Sequence, residues 1–169
     1  MRHALVLHAS CHGSTAQAAE HIAERLERHG YQLQVRPVRY QRSLVGPEHL
    51  VVLGIAVHRG RCHPEARRFL KRHRRDLADR PLALFALAVG PDPGPTPELM
   101  LSQLVRSLDC RPRAAPLSTV VFTPPEVPGA PGPEEFDPEE LDLRELDPQE
   151  RELDRPSIER WADALVRDL

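Results

Sequence analysis

The chain has 169 residues, a formal net charge of −2, three cysteines and an aromatic content of 4%. This length suits one domain with a full core, so we predict a single domain over residues 1–169. The few aromatic side chains and the scattered arginines argue against nucleic-acid binding. No apolar stretch approaches the roughly 20 residues of a membrane-spanning helix, so we expect no stable membrane insertion. An odd number of cysteines without a secretory leader predicts a cytoplasmic protein with no disulfide framework.

Short apolar runs alternate with helical patterns along the whole chain. The predicted strands are residues 4–9, 32–38, 50–54, 82–89 and 117–122, and the predicted helices are residues 15–29, 64–78, 97–108 and 157–169. Nearly continuous apolar strands separated by helices are typical of a parallel sheet covered on both faces. We therefore predict a doubly wound α/β fold with a five-stranded parallel sheet.

The last predicted helix has the clearest apolar stripe. Residues 158, 161, 162, 165, 166 and 169 are apolar and follow the spacing that places them on one side of a helix. Trp161 belongs to this stripe, so we expect it to anchor the core and not to stack on a cofactor.

Residues 124–155 interrupt the pattern with 12 acidic residues, 3 basic residues and 7 prolines. Low apolar content and dense like charge disfavour independent folding, so we interpret this stretch as an acidic insertion before the last helix. A second interpretation stays open. Leu141, Leu143, Leu146 and Leu153 could bind this molecule's own surface, a second copy in a homodimer, or a basic partner.

Three loops follow predicted strands, at the edge of the sheet where doubly wound proteins bind ligands. They span residues 10–15, 55–63 and 89–97. In the first loop, Gly13, Ser14 and Thr15 open a helix directly after a strand. Unpaired backbone amides and the helix dipole make such a helix start a binding site for a phosphate monoester.

Four stretches resemble the flavodoxin-like FMN proteins, and in particular their menaquinone-dependent protoporphyrinogen oxidase branch. The stretches are LVLHASCHGSTAQAAEHIAERL (5–26), VVLGIAVHRGRCHPEARRFLKRH (51–73), CRPRAAPLSTVVF (110–122) and SIERWADAL (157–165). The resemblance implies the strand order 2-1-3-4-5 and non-covalently bound FMN.

The resemblance also assigns residues to the cofactor. The FMN phosphate would lie on the loop formed by Ser10, Cys11, His12, Gly13, Ser14 and Thr15. The flavin ring would be flanked by Ala56, Val57, His58, Arg59 and Gly60, and by Val89, Gly90 and Pro91. These assignments imply an oxidoreductase or electron-transfer protein that works with a redox partner protein or a small-molecule donor and acceptor.

Two departures from the family narrow this expectation. The loops offer no aromatic residue to stack on the ring, because Arg59 stands where the oxidase branch has tyrosine. The acidic residues 124–155 replace a basic, aromatic amphipathic segment, and anionic lipid headgroups would repel them. We therefore expect exchange with soluble partners. The alternative is a flavodoxin-fold scaffold that has lost FMN and acts through protein contacts.

Cysteine and histidine side chains from two loops could approach each other across the sheet edge. They are Cys11, His12, His58, Cys62 and His63. Because no compact metal-ligand spacing is present, we predict no metal site, and His63 before Pro64 suits a helix entry equally well. Cys11 near the positive helix end is a candidate reactive thiol. Arg59 and Arg61 near the ring would favour anionic reduced flavin and raise its midpoint potential.

Overall fold

The computed structural model describes residues 2–10, 13–44, 46, 49–58, 61–88, 96–107, 116–122 and 153–169. Its strands are β1 (Arg2–Ala9), β2 (Tyr31–Pro37), β3 (Leu50–His58), β4 (Arg61–Cys62), β5 (Leu82–Ala88) and β6 (Ser118–Phe122). Its helices are α1 (Ser14–Arg28), α2 (Pro64–Arg72), α3 (Arg74–Ala78), α4 (Pro97–Ser107) and α5 (Arg155–Arg167), with a short 3-10 helix over Val38–Tyr40.

Five strands pair in parallel in the order β2-β1-β3-β5-β6, and β4 pairs antiparallel with β3. The predicted α/β class is therefore confirmed. The predicted strand order also holds once the short β4 is left out of the count. In such a sheet the loops after β1 and β3 lie side by side at the carboxyl edge, because the register pairs Ala9 with Ile55.

The sheet separates two apolar layers, as strand alternation requires. Leu5, Leu7 and Ala9 of β1 point to the layer formed with α2, α3 and α4. Ala4 and Val6 point to the layer formed with α1 and α5. All seven residues of β5 are buried, which suits a central strand covered on both faces.

An aromatic cluster fills the layer beneath α5. The rings of Phe85, Phe122 and Trp161 lie about 6 Å from one another in tilted or edge-on arrangements. The Trp161 indole donates a hydrogen bond to Ser118 Oγ at 3.0 Å. Trp161 thus anchors the core, as its place in the apolar stripe predicted.

Several predicted boundaries are wrong, and three of them have a clear physical reason. β3 continues to His58 instead of ending at residue 54, because Ile55 and Val57 keep the buried alternation and pair with β5. The helix predicted over 64–78 is two helices that meet at His73, whose ring is buried against Phe69. The last helix begins at Arg155, since the Asp154 carboxylate accepts a hydrogen bond from the Ser157 amide.

A charged cluster joins α1 to α5 at the surface. The Arg25 guanidinium donates two hydrogen bonds to the Asp163 carboxylate, at 2.7 and 2.8 Å, and His29 Nε2 lies 2.7 Å from the same carboxylate. The bidentate arginine and the histidine hold the pKa of Asp163 well below its usual range. This cluster joins the C-terminal end of α1, the helix that starts at Ser14, to α5.

Gly54 leaves the space that the Phe85 ring occupies. A Cβ at position 54 would lie 2.2 Å from Cζ of Phe85, and Phe85 is fully buried. We expect Gly54→Ala to lower the free energy of unfolding by about 1–3 kcal/mol, since overpacking forces neighbours to shift. Chemical denaturation measures this. Adding Phe85→Leu should recover part of the loss, and strictly additive effects would contradict the steric explanation.

The Asp163 cluster predicts a pH dependence of stability. Because the folded-state pKa of Asp163 is depressed, its stabilising contribution is present above the ordinary carboxyl pKa of about 4 and is lost as the pH falls through the folded-state value. Thermal unfolding should show Asp163→Asn less stable than the wild type at pH 7, with the difference shrinking at acid pH. Glu27→Gln, at an exposed position of the same helix pair, is the control; an equal effect there would remove Asp163 from this role.

Candidate functional site

The first loop ends in a backbone conformation that favours glycine. Gly13 has φ +89°, in the left-handed region, where another residue would cost about 1–2 kcal/mol. Its amide donates a hydrogen bond to Ser10 Oγ at 3.0 Å. The Ser10 hydroxyl therefore closes the loop onto the helix start, and the sequence position of Gly13 before Ser14 and Thr15 explains why α1 begins there.

The first turn of α1 presents free backbone amides. The first hydrogen bond of this helix runs from the Gln17 amide to the Gly13 carbonyl at 2.9 Å. The amides of Ser14, Thr15 and Ala16 consequently have no acceptor among the described residues. No acidic side chain lies in this turn to neutralise the helix dipole.

Thr15 lies inside the same turn with only 1% of its surface exposed, whereas Ser14 is half-buried. The turn therefore combines amides, two hydroxyl-bearing residues and the positive end of a 15-residue helix. These groups are hydrogen-bond donors for a dianionic phosphate ester, so the residues present fit the phosphate of FMN.

The second predicted loop is largely a continuation of β3 and a tight hairpin. Val57 pairs with Cys62 and His58 with Arg61 in antiparallel register, and the His63 amide donates to the Ala56 carbonyl at 3.0 Å. Ala56 is half-buried, and Val57 is buried in the core layer under α2, α3 and α4. The structure thus brings Ser10, Gly13, Ser14 and Thr15 and the residues Ala56 to His58 to neighbouring strand ends.

Cys62 and His63 have structural roles in the hairpin. The His63 imidazole accepts a hydrogen bond from the Glu65 amide at 3.3 Å and caps α2, as its place before Pro64 suggested. Cys62 is buried, and this burial raises the pKa of its thiol, so the sulfur stays protonated. The described part of the chain contains no group of three potential metal-ligating side chains.

Several predicted site residues lie outside the described residues. They are Cys11, His12, Arg59, Gly60, Val89, Gly90 and Pro91; of His58 only the backbone is described. A groove of about 400 Å³ lies elsewhere, between α4 and β6, and none of the predicted site residues lines it.

His8 is a site neighbour that the sequence analysis did not single out. It lies at the end of β1, two residues before Ser10, and its Nδ1 is buried without a hydrogen-bond partner in the described structure. Burial lowers the pKa of His8, with smaller opposing and reinforcing effects of Glu20 and Arg39. His8 therefore adds no positive charge to the site, and the positive potential there comes from the start of α1. A polar residue inside an apolar strand was the available signal.

Comparison with known proteins identifies the family. The family model of the flavodoxin domain matches residues 5–117, which is more than half of the chain. No curated protein sequence matches significantly.

Solved structures share the fold at low sequence identity. Flavodoxin 1 from Bacillus cereus is 14% identical, with a TM-score of 0.60 over 99% of both chains. A flavodoxin from the domain Archaea is 12% identical, with a TM-score of 0.59 over 98% of this chain and 96% of its own. A flavo-diiron protein from Thermotoga maritima has a TM-score of 0.61 and 14% identity over 98% of this chain, which spans 36% of that longer protein.

None of these findings singles out the protoporphyrinogen oxidase branch, so the narrower resemblance is unsupported. The broader one is confirmed by the family match and agrees with the parallel sheet order. The chain belongs to the flavodoxin domain family, and this membership implies FMN as its cofactor.

Proposed function

We propose that this chain binds FMN with its phosphate on residues 10–15 and passes electrons between a soluble donor and a soluble acceptor in the cytoplasm. The observation that carries the proposal is the open start of α1, with its free amides, buried Thr15 and no acidic side chain in the first turn. When bound, FMN supplies one- and two-electron transfer. The protein supplies position and electrostatics.

The phosphate would be held by the backbone amides of Ser14, Thr15 and Ala16 and by the hydroxyls of Ser10, Ser14 and Thr15, with Cys11 and His12 completing the loop. The isoalloxazine ring would lie between residues 56–60 and residues 89–91. Ala56, which is half-buried, would give it an apolar contact at one edge.

The ring would be held less tightly than by an aromatic partner. An aromatic pair contributes about 0.5–1.5 kcal/mol beyond area burial, so its absence weakens binding by up to roughly tenfold. Phosphate recognition would then contribute a larger share of the affinity. The affinity for FMN would therefore depend mainly on the first loop.

Oxidation of protoporphyrinogen with a membrane quinone is the narrower function that the sequence resemblance suggests. The acidic composition of residues 124–155 disfavours it, because these residues would be repelled by anionic headgroups. No helix among the described residues is long and apolar enough to cross a bilayer. Soluble partners therefore suit the chain better, and we propose residues 124–155 as an acidic insertion of one domain.

The phosphate site predicts the effect of removing its hydroxyls. Titration of apo-protein with FMN, followed by flavin fluorescence, should show that the double variant Ser14→Ala and Thr15→Ala binds FMN at least tenfold more weakly than the wild type. Each lost hydrogen bond to a charged group is worth about 1.5–3 kcal/mol. Circular dichroism verifies that the variant stays folded.

Ser43→Ala and Thr119→Ala together form the matched control, because both residues are exposed and lie outside the site. The control should bind FMN like the wild type. Unchanged affinity in the Ser14 and Thr15 variant would move the phosphate elsewhere. A colourless wild-type protein that ignores added FMN would favour the scaffold alternative.

Arg61 predicts an electrostatic effect on the flavin potential. Its side chain is exposed on β4, next to the candidate ring site. A positive charge there favours the anionic reduced flavin, so Arg61→Gln should lower the midpoint potential of the bound two-electron couple, as measured by spectroelectrochemistry at low salt. Arg167→Gln, at the exposed end of α5, is the control. A potential that is equal in both variants would contradict the role of Arg61.

A further inference from the structure

Cations accumulate on one side of the molecule. Residues 36–75 contain 11 arginine or lysine residues and 2 glutamates. Ten of these cations are exposed in the described structure and form what we call the basic face: Arg36, Arg39, Arg42, Arg61, Arg67, Arg68, Lys71, Arg72, Arg74 and Arg75.

Packing places segments distant in sequence together on this face. The parallel register sets Arg36 beside Leu7, whose side chain points to the layer under α2. Arg39 lies close enough to Glu65 of α2 for their charges to interact. Arg80 donates hydrogen bonds to the Leu44 carbonyl at 2.7 Å and the Gly46 carbonyl at 3.1 Å, which ties the segment after the 3-10 helix to the end of α3.

The cations of the basic face are not neutralised within the described structure. None of the ten forms an ion pair with a described carboxylate. On the opposite side of the sheet, by contrast, Arg25 pairs with Asp163 and Arg155 pairs with Glu24 and Glu159. The basic face thus holds ten cations without a described ion pair, whereas on the α1 and α5 side Arg25 and Arg155 are paired and Arg28 and Arg167 are not.

The basic face begins at the candidate ring site. Arg61 pairs through its backbone with His58 in the hairpin, and α2 starts at Pro64. The nine residues of α2 extend the cationic surface by roughly 13 Å, at about 1.5 Å per residue. A molecule bound here would lie directly against the loop that flanks the flavin.

We propose that the basic face docks an acidic electron-transfer protein and thereby orients it toward the flavin; this inference rests on the proposed function. Unpaired cations over such a surface attract a partner of opposite charge and increase its association rate. A nucleic acid fits less well, because it needs exposed aromatic rings on which its bases can stack. Tyr40 is an exposed aromatic residue on this face, but the Arg39 guanidinium lies over one side of its ring, 4.9 Å from the centroid.

Cytochrome c and its succinylated derivative test the proposal, because they share a fold and a haem but have opposite surface charges. One two-electron-reduced FMN gives its electrons to two ferric haems, and anaerobic stopped-flow absorbance follows the reaction. At low salt the succinylated protein should react at least about tenfold faster than the native one, and its rate should fall as salt rises. A faster reaction with native cytochrome c would overturn the proposal.

Charge reversal locates the docking surface. Arg72→Glu with Arg75→Glu changes two exposed cations remote from the FMN residues and should slow the succinylated acceptor by about tenfold. Arg28→Glu with Arg167→Glu makes the same change in net charge on the α1 and α5 side and should have little effect. Equal slowing by both variants would show a net-charge effect and reject a specific face.

Equilibrium binding keeps the inference separate from the proposed function. Biosensor titration of the FMN-free full chain with succinylated cytochrome c should show salt-sensitive binding that Arg72→Glu and Arg75→Glu weaken. If the chain cannot take up added FMN but still binds succinylated cytochrome c in this way, the electron-transfer function alone is overturned. Tighter binding of a duplex oligonucleotide would assign the face to nucleic acid. Self-association abolished by the same variant would assign it to a second copy, and either result would overturn the acidic-partner proposal.

Discussion

The site depends on where the parallel sheet places one helix end. The pairing of β1 with β3 sets Ala9 beside Ile55, so the loop that starts α1 and the end of β3 lie at one edge of the sheet. The left-handed Gly13 turns the chain into α1, and the first amides of this helix, like those of any α-helix, have no acceptor within it. An anion is the complement of such an arrangement, because amides and helix dipole both favour negative charge.

The rest of the molecule keeps this helix end in position. Apolar residues of α1 pack onto the sheet beneath α5, and the aromatic cluster around Phe85 fixes α5 on the same layer. The cluster of Asp163 with Arg25 and His29 joins the two helices at the other end of α1. The packing of α1 against the sheet and α5 therefore also holds the start of α1 in place.

Local patterns predicted the sheet and the start of α1 because both depend on short stretches of sequence. Apolar runs identify the strands, and small polar residues between Ala9 and Ala16 identify the helix start. The hairpin at Val57 and Cys62 was interpreted as a loop, since two-residue strands have no periodicity of their own. The pairing of Arg25 with Asp163 spans 138 positions and leaves no local signal. The concentration of cations in residues 36–75 is visible in the sequence, but the fold decides which of them share a face.

Basic and acidic residues are concentrated in different parts of the chain. The basic face extends from Arg61, next to the candidate ring site, whereas 12 of the 25 acidic residues fall in 124–155. A surface of one charge sign near a redox centre attracts partners of the opposite sign and repels others. The cations near the candidate ring site therefore affect which donor and acceptor the chain can use. In this account the basic face selects the protein partner, and residues 10–15 bind the phosphate.

The affinity of the apo-protein for FMN compared with riboflavin tests the central claim most directly, because the two ligands share the ring and differ in the phosphate. If residues 10–15 hold the phosphate, FMN should bind at least about tenfold more tightly, a difference of about 1.4 kcal/mol. Inorganic phosphate should reduce this preference. Equal affinity for the two ligands would contradict the account.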